Sequence, residues 1–222
     1  MSAYTVTHEI DLRCYPNYSF EVGDVTGDGW MELICLNQNG NRLRVVDLEG
    51  RVLFERKLRN NGNWGTPLPC VTDLDGDGRA EVVVPDPVRS PFEARIVAFD
   101  ARGELTGEHR FGLGSKDDYG ISVPLLAPMR FEQDGPRGVI AALAGGHLVA
   151  LDHRLNELWR KSGFRHDFGH EIHVADVDGD GLDEVAFCTC DQIDGGYRAD
   201  GSNVGELVLI DPVSYTHLTL PT

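Results

Sequence analysis

Three nine-residue stretches place oxygen-bearing side chains at one fixed spacing: "DVTGDGWME" from Asp24, "DLDGDGRAE" from Asp73 and "DVDGDGLDE" from Asp176. Numbered from the first acid, positions one, three, five and nine are Asp24, Thr26, Asp28 and Glu32; Asp73, Asp75, Asp77 and Glu81; and Asp176, Asp178, Asp180 and Glu184. So many carboxylates in so short a loop repel one another, and a hard divalent cation that takes several oxygens removes the repulsion; Ca²⁺ is the ion that fits. The backbone carbonyls of position seven, Trp30, Arg79 and Leu182, can add a further oxygen, and the glycines at position six allow the sharp turn this needs. An EF-hand is excluded: its twelfth position must carry an acid and lead into a helix, and here that position holds Cys35, Val84 and Phe187.

Each loop runs straight into an apolar stretch, and the loops recur. The first two begin 49 residues apart and the last lies 103 further on, about twice that interval. A degenerate copy is therefore expected between them. "MRFEQDGPRGVIAAL" supplies it, with Arg130 and Gly138 in acid positions and Glu132 and Asp134 left with too few partners to hold an ion. Each unit has a second half, an apolar run ending in Asp47, Asp100 or Asp152, then a turn, then another strand-like run; the last unit stops at "ELVLIDP". Gly50 and Gly103 stand where a hairpin turn needs positive φ, and the third copy has Leu155 followed by Asn156. Alternating and short continuous apolar runs recur without a sustained 3.6-residue period, so the chain reads as all-β. Four strands in some 50 residues are the blade of a β-propeller; a β-helix or sandwich would show a shorter repeat or none. The expected fold is a propeller fragment of about four four-stranded blades, near residues 18–60, 66–112, 121–163 and 170–212 of a region 1–212. Glycine, 26 of 222 residues or about 12% against a usual ~7%, agrees with many turns.

Composition sets the remaining limits. With 41% apolar residues over 222 positions the chain can bury a core. Its formal charge of −16 argues against nucleic acid or an anionic membrane surface as partner and suits cation binding. Three bound divalent ions would bring it to about −10. No apolar run reaches the roughly 18 residues of a membrane span, and "MSAYTVTHEIDLRC" lacks the basic start and apolar stretch of a signal peptide. The five cysteines form no CxxC pair; Cys188 and Cys190, two apart on a strand, share one face, as packing residues or alternatively as a metal pair.

The pattern D-x-D-G-D-G-x-x-E leading into a strand resembles the calcium loops of FG-GAP or VCBS-type propeller repeats, over residues from about 18 to 212. That resemblance implies bound Ca²⁺ bracing the blades, a weaker site at loop one where Thr26 replaces an aspartate, and an extracellular or periplasmic setting. Within it, "GHEIHVADVDGDGLDEVAF" is similar to a segment of rhamnogalacturonan lyases, calcium-dependent propeller enzymes that cut pectin by β-elimination. This implies a uronate-containing polysaccharide as partner, with His170, Arg165 and Tyr197 as the available catalytic candidates. The alternative is a non-catalytic FG-GAP-type module that holds a glycan or a protein. Tyr197 lies in "CTCDQIDGGYRADGSN", the longest insertion in any unit and of the polar, glycine-rich composition that functional loops share with plain solvated excursions. His170 and His173 are an odd number apart, so on a strand they face opposite sides and make no simple metal pair.

The last ten residues, "VSYTHLTLPT" at 213–222, abandon the repeat and resemble translated adapter read-through at the end of a fragmentary reading frame; a terminal strand is the alternative, since Val, Tyr, Thr and Leu favour strands. Four blades are fewer than most closed propellers hold, so uncovered apolar surface and self-association are expected of the chain alone.

Overall fold

A computed structural model describes residues 9–12, 20–37, 41–59, 68–89, 92–112, 125–143, 146–164, 167–190, 205–211 and 217–220. The first sheet runs β1 (Phe20–Gly23), β2 (Glu32–Leu36), β3 (Arg42–Val46), β4 (Val52–Lys57), in sequence order. The second contains β5 (Cys70–Thr72), β6 (Glu81–Pro85), β9 (Arg95–Phe99) and β10 (Leu105–Arg110), with a small hairpin, β7 (Val88–Arg89) and β8 (Phe92–Glu93), inserted between β6 and β9. The third is β11 (Leu125–Met129), β12 (Gly138–Leu143), β13 (His147–Leu151), β14 (Glu157–Ser162). The fourth is β15 (Asp167–Ala175), β16 (Glu184–Cys190), β17 (Gly205–Ile210), β18 (His217–Leu220), so its outer strand comes from the 213–222 segment that departs from the repeat. All pairings are antiparallel. Among the described residues no helix is long and apolar enough to cross a membrane.

The sheets stack face to face, with inner strands β1, β5, β11 and β15 adjacent in turn, as in propeller blades. Strand β6, Glu81–Pro85, is buried at every position, because its two faces contribute to two cores. Val82 and Val84 join Ile34, Leu36, Leu43 and Val45 of the first sheet, while Val83 joins Val139, Ala141 and Leu143 of the third. Ile140 and Ala142, on the opposite face of β12, meet Val185, Phe187, Val208 and Ile210 of the fourth. Burial on both faces explains why these second strands read as unbroken apolar runs and not as an alternation.

The hairpins between third and fourth strands repeat one device. The Asp47 carboxylate accepts the N–H groups of Glu49 and Arg51 at 3.0 and 2.8 Å, Asp100 those of Arg102 and Glu104 at 2.9 and 2.8 Å, and Asp152 those of Arg154 and Asn156, both at 2.8 Å. The turn then requires a left-handed residue. Gly50 (φ 77°) and Gly103 (φ 72°) supply it as expected, and in the third sheet Leu155 adopts φ 62°. A leucine tolerates that strain because its side chain is buried in the core between the second and third sheets.

Position two of each acidic loop faces the next sheet. Val25 (0% exposed) belongs to the core between sheets one and two, Leu74 (3%) to that between two and three, and Phe131 packs on that between three and four. Val177, whose sheet is followed by no other here, is 62% exposed. Leu74→Ala is therefore expected to lower unfolding free energy by about 2–5 kcal/mol, whereas Val177→Ala should change it by no more than about 0.5 kcal/mol. Urea unfolding of the two variants checks this, and equal effects would refute the stacking rule.

His109 on β10 sits at the contact of sheets two and three, edge-on to Phe111 with ring centres 4.8 Å apart. Its Nε2 lies 3.7 Å from a Glu157 carboxylate oxygen, beyond hydrogen-bond reach. Burial pushes the imidazole below its ordinary 6.5, and the attraction of Glu157 opposes the shift without reversing it. The unfolded chain thus takes up this proton at higher pH than the folded one, so the stability present above about pH 6.5 is lost as pH falls below that value and through the lower folded one. Urea midpoints at about pH 7.5 and pH 5 should separate more for the parent chain than for His109→Gln.

Candidate metal centre

Pairing register fixes where each loop begins and ends. Gly23 pairs with Glu32, Thr72 with Glu81, Met129 with Gly138 and Ala175 with Glu184, so every loop is the closure between a residue just before position one and the residue at position nine. Eight residues then turn the chain through two positive-φ glycines, at positions four and six: 75° and 87° in loop one, 79° and 85° in loop two, 82° and 90° in loop four.

Inside the turn the first acid organises the backbone. Asp73 accepts N–H bonds from Gly76 and Gly78 at 2.7 and 3.0 Å, and Asp176 does the same from Gly179 and Gly181 at 2.7 and 3.0 Å. Asp24 accepts from Gly27, Asp28 and Gly29 at 2.7, 3.1 and 2.9 Å. The acids at position five take the N–H of position seven: Asp28 from Trp30 at 2.9 Å, Asp77 from Arg79 and Asp180 from Leu182, both at 2.8 Å. Position nine reaches back to position two. Glu81 accepts the Leu74 N–H at 2.8 Å and Glu184 that of Val177 at 2.6 Å.

These bonds leave the acids of positions one, three and nine pointing at one another. Oxygens of Asp73, Asp75 and Glu81 lie within 4.8 Å of each other, and so do those of Asp176, Asp178 and Glu184. The aspartates of position five, Asp77 and Asp180, are not part of these groups. In loop one, Thr26 occupies the middle of the set and its hydroxyl donates to Glu32 at 3.4 Å. Loop three has no comparable set: a Cβ on Gly138 would lie 2.1 Å from the Leu151 carbonyl oxygen and 2.8 Å from the Phe131 ring, so position nine has no room for a carboxylate.

Burial, reinforced by the charges of Asp75, Asp73 and Asp77, pushes the Glu81 carboxyl above its ordinary value even though the Leu74 N–H pulls it down. Glu184 is raised in the same way by burial, with Asp178, Asp180 and Asp211 adding to it. A cation among these oxygens would relieve that repulsion, and an all-carboxylate donor set suits a hard ion such as Ca²⁺ or Mg²⁺ over a soft one.

Of the catalytic candidates, His170 falls on β15, and Arg165 and Tyr197 lie outside the described residues. Two participants escaped the motif reading. Asp183, at position eight, accepts the Arg130 N–H at 2.6 Å, and Gln133 donates its side-chain N–H to the Asp180 carbonyl at 2.6 Å. The one available signal was that position eight is acidic in this copy, where the others have Met31, Ala80 and Arg137.

Residues 24–84 match the FG-GAP-like repeat family. This stretch contains loops one and two whole. The chain is also 30% identical to the rhamnogalacturonan endolyase YesW of Bacillus subtilis, over 75% of this chain and 36% of that protein. It is 28% identical to integrin alpha-4 of Xenopus laevis over 61% of this chain and 15% of the integrin. Among solved structures, the exotype rhamnogalacturonan lyase YesX superposes with a TM-score of 0.61 at 18% identity, over 86% of this chain and 44% of that one. The four sheets are blades of a β-propeller. The chain spans little more than a third of the Bacillus relative and less of the integrin.

Proposed function

We propose that this chain is a calcium-binding part of a β-propeller from a polysaccharide-active protein like the rhamnogalacturonan lyases, acting on uronate-containing pectin by β-elimination. The observation that carries the calcium reading is the pair of converging acid sets, Asp73–Asp75–Glu81, within the FG-GAP-like match, and Asp176–Asp178–Glu184, in a loop of the same spacing. Asp77, Asp180 and the carbonyls of Arg79 and Leu182 complete the donors, and Asp24, Thr26, Asp28, Glu32 and the Trp30 carbonyl form a weaker third site. Calcium supplies charge neutralisation, at the blade loops and, in a lyase, at a uronate carboxylate.

The substrate reading rests on likeness to YesW and YesX. β-Elimination needs the carboxylate beside the departing proton neutralised and a base within hydrogen-bond reach of that proton. Arg165 would bind the carboxylate, His170 would take the proton, and Tyr197 in the long insertion would orient the sugar. A second reading has its own support: the acids fold their own loops through N–H bonds, which is bracing, and the chain's likeness extends beyond lyases, to integrin alpha-4. In that case the propeller holds a glycan or protein partner and no titratable side chain is essential.

Calcium at about a hundred times the dissociation constant should add about 2.7 kcal/mol of stability per occupied loop. The melting temperature is expected to rise on adding calcium and fall with chelator, and identical melts would overturn the calcium reading. The enzyme reading is tested by incubating the protein with rhamnogalacturonan and calcium while following ultraviolet absorbance of the unsaturated product. Absorbance should grow; glycan binding without any growth supports the binding module instead.

A further inference from the structure

The third loop, though stripped of two acids, grips the fourth from two directions. Arg130 and Asp183 form a reciprocal pair: the Arg130 N–H donates to the Asp183 carboxylate at 2.6 Å and the Asp183 N–H donates to the Arg130 carbonyl at 3.1 Å. Gln133 adds its amide to the Asp180 carbonyl at 2.6 Å and lies against the Gly181 backbone. Asp183 is only 7% exposed and stands immediately before Glu184, while Asp180 is position five of the same loop. Loop two meets its predecessor in another way: the equivalent backbone bond, Ala80 N–H to the Asp24 carbonyl at 2.9 Å, is present and Arg79 lies against Gly27 of loop one, but Ala80 has no side chain to accept the return bond. The grip also has a rigid base, since the Phe131 ring and the Leu151 carbonyl close the space over Gly138.

We propose that the degenerate third loop is a clamp that pre-shapes the cation site of loop four, with Gln133 and Asp183 as its positioning residues. The proposal rests on the calcium reading above. Fixing the backbone on both sides of Leu182 holds the position-five aspartate, the position-seven carbonyl and Glu184 before the ion arrives, so less ordering remains to oppose binding. Two sites with the same acids at positions one, three, five and nine are therefore unequal, loop four being the tighter.

Calcium titration calorimetry on the full chain, with Asp28→Asn in every variant to silence the weaker loop one, separates the sites: Asp75→Asn silences loop two and reports loop four, and Asp178→Asn does the reverse. Gln133→Ala, an exposed change expected to leave the calcium-free melt in place, should weaken binding about tenfold in the first background, a loss of about 1.4 kcal/mol, and leave the second unchanged. Asp183→Asn, which keeps the shape but weakens the acceptor, should act in the same direction. Equal affinities with and without Gln133 would overturn the clamp while leaving the calcium reading standing. A Gln133→Ala effect on both loops alike would also overturn it, as a general loosening of the fold. No calcium binding in either background would overturn both.

Discussion

The constraint on which this structure turns is a buried carboxylate at the start of an apolar strand. Glu32, Glu81 and Glu184 each sit at the mouth of a second strand, almost wholly out of water, with fully buried residues following in the strand. An ionised group there must find hydrogen bonds or a counter-charge, or its charge is disfavoured. Part of the need is met locally by the N–H of position two, and where a further blade follows, in loops one and two, the apolar side chain of that position packs between the blades. Nine residues thereby join the charged exterior to the core: acids converge outside, Val25 and Leu74 enter the space between blades, and the strand begins. The dense negative charge ahead of a buried segment is thus a property of one turn, whose deepest acid belongs to both regions.

Where the acids are missing, in loop three, the same space is filled another way. Gly138 removes the carboxylate, Phe131 brings its ring over the gap while packing on the core between blades three and four, and Arg130 turns its backbone to Asp183. The register is kept, since Met129 still pairs with Gly138 as Gly23 does with Glu32. A loop can lose its acids without losing its blade because strand pairing and inter-sheet burial stabilise the blade more than the loop does; a buried Val or Leu contributes roughly 1.5–3 kcal/mol, and each core holds many of them.

What the sequence made legible was whatever is local. Spacing within nine residues distinguishes these loops from EF-hands, the recurrence of the motif gives the blade count, and Asp47, Asp100 and Asp152 mark the hairpins, since both loop and turn are closed by bonds between residues at most seven apart. Contacts between loops 47 to 53 residues apart were not legible, because they depend on how the sheets stack: Gln133 on Asp180 and Arg130 on Asp183 have no spacing signature. The strand at His217–Leu220, paired with β17, was legible in part, as the terminal-strand alternative to a read-through tail. That segment stands outside the repeat, and β-favouring composition opposite an open edge suffices to pair it.

The hydrogen bonds also limit what a cation has to do. In loops two and four the first acid already closes two glycine N–H groups and the fifth holds the seventh, so the turn is formed by the chain's own donors. What the chain's donors leave unmet is the mutual repulsion of the acids and the raised carboxyls of Glu81 and Glu184. An ion held there would act on the junction between loop and second strand more than on the turn itself. That junction carries position eight, whose backbone N–H reaches the preceding blade through Ala80 to Asp24 and Asp183 to Arg130. Charge neutralised inside one loop would thereby be felt at the contact between two blades, and the acidic loops belong to the stacking of the propeller.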